Sequence, residues 1–183
     1  MKTFKILFAA IVIAGFASTA IANDPPSVSE NITGRAIVMS PIVINPDGDL
    51  DFALVSQGIN KTIGFTNNVT AGTSTGGENT GRFHVEAATG SHVSFNFSTL
   101  PGILQIGEDG ATMPIVYTAA WGNSNDGDEV EEDLGAVIQG NGSTVEGVAG
   151  GAFYVFLGGT VQPANDQAAG TYTAEITLTA EYN

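Results

Sequence analysis

Closely spaced oxygen ligands are the first residues in this chain that could do chemistry. They form two runs, Asp47, Asp49 and Asp51, and Asn125, Asp126, Asp128 and Glu129. Calcium takes roughly six to eight oxygen ligands, so either run could contribute to a calcium site. Neither run matches the helix–loop–helix spacing that ends in a bidentate glutamate. The alternation favours a strand with Asp49 and Asp51 in solvent and Leu50 and Phe52 turned inward, and the sequence predicts no metal.

The histidines offer little more. His84 and His92 are the only two in the chain, and Glu86 lies close to both. A His/Glu patch of this kind is more often a solvated strand surface than a metal site. The chain lacks the nucleophile elbow of a serine hydrolase and a phosphate-binding glycine loop before a helix. It also contains no cysteine, which excludes a thiol nucleophile. We therefore predict that the protein is not an enzyme and binds no cofactor.

The single tryptophan leaves one alternative open. Trp121 precedes the most acidic stretch of the chain, residues 122–135. An indole beside such a loop could stack on a sugar, with Asp126 and Asp128 as polar contacts. An aromatic residue at a strand end is more often part of the core or its rim.

Charge and the first residues limit the partners. The 183 residues include 19 acidic and five basic side chains, for a net charge of −14. We predict that the protein binds no nucleic acid, because phosphate contacts need Lys and Arg. Lys2 and Lys5 precede an apolar run over residues 6–16, and a small-x-small site follows at residues 20–22. This pattern predicts a signal peptide over residues 1–22, with no transmembrane segment after its removal.

Glycine-rich turns separate short segments of Thr, Val, Ile and Phe, which is typical of an all-β sandwich. The predicted strands are Ile32–Met39, Ile42–Ile44, Leu50–Val55, Thr62–Thr66, Arg82–Ala87, His92–Phe97, Ile103–Ile106, Met113–Trp121, Ala136–Gln139, Ala152–Val161 and Tyr172–Tyr182. No change of composition divides two cores, so we predict one domain.

One hairpin can be predicted with its register. Pairing Val85 with Val93 and Phe83 with Phe95 leaves residues 88–90 as a three-residue loop. Gly90 would then supply the positive φ that such a loop requires. The same register places His84 opposite Ser94, and Glu86 opposite His92, on a solvated face.

The C-terminal segment has the clearest pattern in the chain. Polar residues occupy its odd positions, and the even positions hold Tyr172, Ala174, Ile176, Leu178, Ala180 and Tyr182. This alternation predicts a long strand with one face buried. Its partner strand must come from elsewhere in the chain or from another chain.

The other end of the mature chain is a polar, proline-containing segment that leads into a second alternating run. Ile32, Gly34, Ala36 and Val38 share one face, and Pro41 then interrupts the run because it cannot donate a ladder hydrogen bond. The expected result is an extended apolar arm.

These two ends together resemble the subunits of chaperone–usher pili. The match at the C-terminus consists of Gly170 fourteen residues from the end, the penultimate Tyr182 and the Ile176/Leu178 alternation. At the other end, the donor arm and first strand of the cysteine-free fimbrial subunits are similar to residues 31–33, Ala36, Val38, Pro41 and residues 42–44. Residues 156–160 and 167–172 also resemble a family of small secreted bacterial proteins of unassigned function. The resemblance implies an immunoglobulin-like, pilin-type sandwich that is completed by strand donation.

The resemblance also implies the domains, the sites and the partners. Residues 1–22 are the signal peptide, residues 23–40 the donor arm and residues 41–183 the sandwich. Ile32, Gly34, Ala36 and Val38 of one subunit fill a groove in the next, beside the strand that begins at Gly170. The partners are identical subunits, a periplasmic chaperone and an outer-membrane usher. The product is an extracellular adhesive fimbria. The alternative is a non-assembling secreted or cell-surface sandwich that binds carbohydrate or belongs to a biofilm matrix.

Overall fold

The computed structural model describes residues 29–107, 110–137 and 145–183, except for the side chains of residues 145–147. Every regular element within these residues is a β-strand. The strands are β1 (Val43–Gly48), β2 (Lys61–Ile63), β3 (Val69–Ala71), β4 (Gly81–Glu86), β5 (His92–Thr99), β6 (Ile103–Gln105), β7 (Thr112–Gly122), β8 (Glu132–Val137), β9 (Val145–Ala149), β10 (Ala152–Val161) and β11 (Thr177–Tyr182). The chain divides into two units, the segment that ends at Ile37 and the unit Val38–Asn183.

Two antiparallel sheets make up the larger unit. The larger sheet has eight strands, in which β10 lies between β4 and β2 and also pairs with β7. The smaller sheet has three strands in the order β11-β5-β9. The rings of Phe95 on β5 and Phe153 on β10 stack with centroids 5.8 Å apart, and so join the two sheets through the core. The prediction of an all-β fold is confirmed, and two sheets around one core are consistent with a β-sandwich.

Alternating apolar residues from both sheets form this core. The most completely buried large side chains are Phe95, Phe97, Phe153, Phe156, Ile63, Leu157, Val85, Val93, Val155 and Val161. Burial of each such side chain contributes roughly 1.5–3 kcal/mol. With no cysteine in the chain, this apolar packing is the main source of stability.

The predicted hairpin between residues 83 and 97 is wrong. Val85 pairs with Ile44 and with Phe153, whereas Val93 pairs with Tyr182 and Val148. The two strands therefore lie in different sheets, with Val85 and Val93 both buried in the core. Alternation fixes which side chains face inward but not which sheet carries the strand. Gly90 does have a positive φ, 82°, as predicted.

Other strand predictions also fail where a hydrogen-bonded partner is missing. Residues 32–39 form no strand, and Leu50–Val55 is reduced to one isolated bridge between Asp51 and Asn79. The last strand begins at Thr177 instead of Tyr172, because its partner β5 ends at Thr99 just before Pro101. Upstream, only Thr173 forms a bridge, to Gln105. The inward direction of Phe52 and the exposure of Asp49 and Asp51 are as predicted.

The described part of the smaller unit, residues 29–37, has no regular secondary structure. All of its residues are exposed, and Ile32 has 97% of its surface accessible. Val38, the first residue of the larger unit, is 95% exposed. Large aliphatic side chains are seldom left in water to this extent, since their burial is favourable.

Candidate functional site: a cleft between two strand edges

The candidate site is a cleft that lies next to the end of β1 and the start of β11. Among the described strands, β1 pairs only with β4, and β11 pairs only with β5. Each therefore has one edge with main-chain N–H and C=O groups available for pairing. Such edges are templates for an added strand.

Hydrogen bonds connect the chain that flanks β1 to the C-terminal segment at two places. At one end the Tyr182 hydroxyl donates to the Ser40 carbonyl at 2.7 Å and accepts from the Ala88 N–H at 2.8 Å. At the other end the Gln57 side-chain amide donates to the Gln167 carbonyl at 2.6 Å. The Gly58 N–H also donates to the Ala164 carbonyl at 3.0 Å. These ties hold the two walls at a fixed separation.

A cleft of about 820 Å³ opens between these ties. One wall comes from residues 46–57, and the other from residues 167–176. The floor consists of side chains from strands of the larger sheet: Phe83, Leu104, Met113, Ile115, Tyr117 and Leu157. The cleft therefore opens directly onto the hydrophobic core.

The predicted C-terminal site residues are divided by this cleft. Gly170, Tyr172, Ala174 and Ile176 line it, and the last three are half-buried. Further along, Leu178 is buried against the core, whereas Ala180 and Tyr182 pack against it at the other end. All six even positions are less exposed than most of their odd neighbours, so the alternation predicted from the sequence describes this segment even where it forms no ladder.

Tyr117 is a cleft-lining residue that the sequence did not single out. It is 2% exposed, and its hydroxyl has no hydrogen-bond partner among the described residues. Burial raises the pKa of Tyr117 to about 12, so the group stays neutral at physiological pH. Buried polar groups without partners are uncommon in native proteins, and each one costs stability.

Replacing this hydroxyl tests that cost. We expect Tyr117→Phe to raise the free energy of unfolding of the isolated domain by about 1 kcal/mol, because an unsatisfied buried group is removed with little change of shape. Urea denaturation monitored by Trp121 fluorescence measures the difference. Tyr154→Phe is a control on the same fold, since its ring stacks on His84 outside the cleft. A fall in stability for Tyr117→Phe would show that the hydroxyl has a partner.

A buried ion pair positions one wall. The Lys61 ammonium lies 2.7 Å from the Glu78 carboxylate, and the two side chains are only 3% and 4% exposed. Lys61 also donates to the Leu54 carbonyl at 2.9 Å and to the Thr75 hydroxyl at 3.2 Å. All three ammonium hydrogens are thereby used. Because Leu54 belongs to the wall, this pair fixes the wall against the loop that carries Thr75 and Glu78.

Hydrogen bonding keeps this pair ionised. The bond from Lys61 and then the bond from the Thr75 N–H hold the pKa of Glu78 well below its usual range. A carboxylate with a lowered folded-state pKa contributes stability that is complete above the unfolded-state pKa. That contribution is lost only as the pH falls below about 4 toward the lowered pKa of Glu78. The wall is therefore held at neutral and mildly acidic pH.

The residues of the alternative ligand loop are engaged with their own surroundings. The Trp121 ring packs edge-on against Phe153 with centroids 6.4 Å apart, and its N–H donates to Glu132 at 3.1 Å. The Asp126 carboxylate accepts from the Asp128 N–H at 3.0 Å and so closes a turn. Neither Trp121 nor the two aspartates line the cleft.

The candidate metal and histidine residues are scattered. Among the described residues, no group of three or more His, Cys, Asp or Glu side chains is arranged to hold a metal ion. His84 is half-buried on β4, stacks on Tyr154 with centroids 4.6 Å apart and lies 3.7 Å from Glu86. The predicted placement of His84 opposite Ser94 is wrong, because Ser94 lies opposite Glu181 in the other sheet.

Comparison with known proteins does not assign this chain to a family. No protein-family model matches it, and no curated protein matches its sequence. Within the described residues, no helix is long and apolar enough to cross a bilayer. The cleft and the two chain ends are therefore the observations from which a function can be argued.

Proposed function

We propose that this protein is a structural subunit of an extracellular adhesive fibre that assembles by strand donation. The arm of one copy, with Ile32, Gly34, Ala36 and Val38 inward, enters the cleft of the next copy. The signal peptide directs export, a periplasmic chaperone occupies the cleft until assembly, and an outer-membrane usher releases the product. The sandwich is then of the immunoglobulin-like pilin type, with its last strand supplied by another copy.

The single observation that supports this proposal most is the cleft itself. One wall continues from β1 and the other leads into β11, and each of these strands lacks a second partner among the described residues. The floor of the cleft is continuous with the apolar core. An inserted strand would extend the ladder on both sides and cover the floor with alternate side chains, which is β-augmentation. A compact small molecule would satisfy the floor but not the main-chain groups of the two edges.

The exposed arm supplies chemistry that matches the cleft. Ile32 and Val38 are almost fully exposed, so their transfer into the cleft would contribute about 3–6 kcal/mol together. Residues 29–38 can extend over roughly 33 Å, which is enough to pass residues 170–176. Because donor and acceptor surfaces differ, each copy can bind two others, and repeated donation can extend the assembly into a fibre.

A peptide-binding experiment tests the proposal. The acceptor is the full mature chain with Ile32→Asp and Val38→Asp, so that its own arm cannot serve as donor. The probe is a synthetic peptide of residues 29–40. We expect saturable one-to-one binding. At a peptide concentration of about 100 times the Kd, the melting temperature of the acceptor should rise by roughly 5–10 °C. Titration calorimetry and thermal denaturation measure the two effects.

Variant peptides provide the controls. The peptide with Ile32→Asp and Val38→Asp should not bind, because it would bury two charges. The peptide with Ile37→Thr carries an uncharged change on the opposite face and should still bind. If the native peptide neither binds nor stabilises the acceptor, the strand-donation proposal is wrong.

A further inference from the structure

Arg35 is the one described lysine or arginine without an acidic partner. Lys61 pairs with Glu78 and Arg82 pairs with Asp47, each at 2.7 Å. Arg35 is exposed and forms no ion pair within the described part of the chain. In a protein with 19 acidic and five basic residues, a cation that lies on the arm is available for a second copy.

The mouth of the cleft presents complementary charge. Asp49, on one wall, is exposed. Within the described ranges its main-chain carbonyl accepts a hydrogen bond from the Asn79 side-chain amide at 2.7 Å, and its carboxylate accepts none. Glu175 is exposed on the opposite wall between the half-buried Ala174 and Ile176. Each wall therefore carries an exposed carboxylate.

The period of a strand brings these groups to the same side. An arm inserted with Ile32, Gly34, Ala36 and Val38 inward turns Arg35 outward. Outward side chains of adjacent strands lie next to one another, and opposite charges in such pairs stabilise the pairing. Shifting the arm by one residue would turn Arg35 into the apolar floor, where an unpaired charge is costly.

We propose that Arg35 of an inserted arm lies between Asp49 and Glu175 at the mouth of the cleft and sets the register of insertion. This inference rests on the proposed strand donation. It identifies the recognised partner as an extended peptide with a cation on its outward face between inward apolar residues. It also gives recognition between copies a dependence on ionic strength, because all three charges are exposed to solvent.

Charge reversal and its rescue test this inference. The acceptor is again the full mature chain with Ile32→Asp and Val38→Asp, and the probe is the peptide of residues 29–40. We expect Arg35→Glu in the peptide to weaken binding about ten-fold at low salt. At roughly 0.5 M NaCl the difference in affinity between the two peptides should shrink to about two-fold, because salt screens the interaction between the charges. Peptide and acceptor are measured at the same concentrations throughout.

Rescue separates a local contact from overall charge. Adding Asp49→Lys or Glu175→Lys to the acceptor should raise its affinity for the Arg35→Glu peptide about five-fold or more. Glu129→Lys changes the net charge equally but lies outside the cleft, and should restore less than about two-fold. If the Arg35→Glu peptide binds as tightly as the native one, or if Glu129→Lys rescues equally well, this inference is overturned. Failure of the native peptide to bind overturns the proposed function instead.

Discussion

Deletion of residues 23–39 is expected to abolish polymer formation while the remaining chain still folds. The mature protein should form multimers that resist detergent and dissociate only on strong heating, because each junction adds a full strand to a sandwich. All eleven described strands lie after residue 39, so the deletion removes the donor and leaves the acceptor. Size-exclusion chromatography and unheated detergent gels measure the outcome, and circular dichroism verifies the fold.

Variants of full length make this test specific. Ile32→Asp with Val38→Asp should abolish polymers as completely as the deletion does, because both side chains would carry charge into the floor of the cleft. Ile37→Thr alters the other face of the same arm and should leave polymers largely intact. Detergent-resistant multimers from the deleted chain would rule out donation by this arm.

Replacement of Lys61 by methionine is expected to lower the melting temperature by about 10 °C. The substitution keeps an unbranched side chain that is one atom shorter, but it leaves the Glu78 carboxylate buried without its cation. Removing one partner of a buried ion pair is far more damaging than removing both. It also frees the Leu54 carbonyl, so residues 50–55 should lose their fixed position along the cleft.

The chain contains a matched control for this substitution. Arg82 and Asp47 form an ion pair of the same 2.7 Å length, but their side chains are 24% and 41% exposed. Arg82→Met should therefore lower the melting temperature by no more than about 3 °C. Adding Glu78→Gln to Lys61→Met should recover part of the loss because the unpaired charge disappears. Equal effects of Lys61→Met and Arg82→Met would contradict the assigned role of the buried pair.

The sequence was sufficient to predict the fold class and the inward faces, because alternation of polarity records which side chains leave water. It was not sufficient for the assignment of strands to sheets. Val85 and Val93 both face the core, and a tight hairpin or a connection between the sheets satisfies the same pattern. The choice depends on long-range partners such as Phe153 and Tyr182, which no local pattern identifies.

The candidate site could likewise be predicted from the sequence only in part. The sequence identified one wall through the even residues from Tyr172 to Ile176, but not the floor residue Tyr117 or the pair of Lys61 and Glu78. Tyr117 occurs within an ordinary strand pattern, and its missing partner becomes visible only when the surrounding atoms are placed. Lys61 and Glu78 are 17 residues apart. The scarcity of basic residues was the one available indication that a lysine in an apolar strand needs a specific acid.

The hydroxyl of Tyr182 joins the last strand to the main chain at Ser40, where the arm meets the sandwich. In a fibre under tension, force on the arm would enter the fold at this point. The bond to Ser40 passes part of that force to β11, and the bond from Ala88 passes part of it to the connection between β4 and β5. Both sheets would then share the mechanical load at each junction, so that a pull on the fibre does not peel β1 from β4 one hydrogen bond at a time.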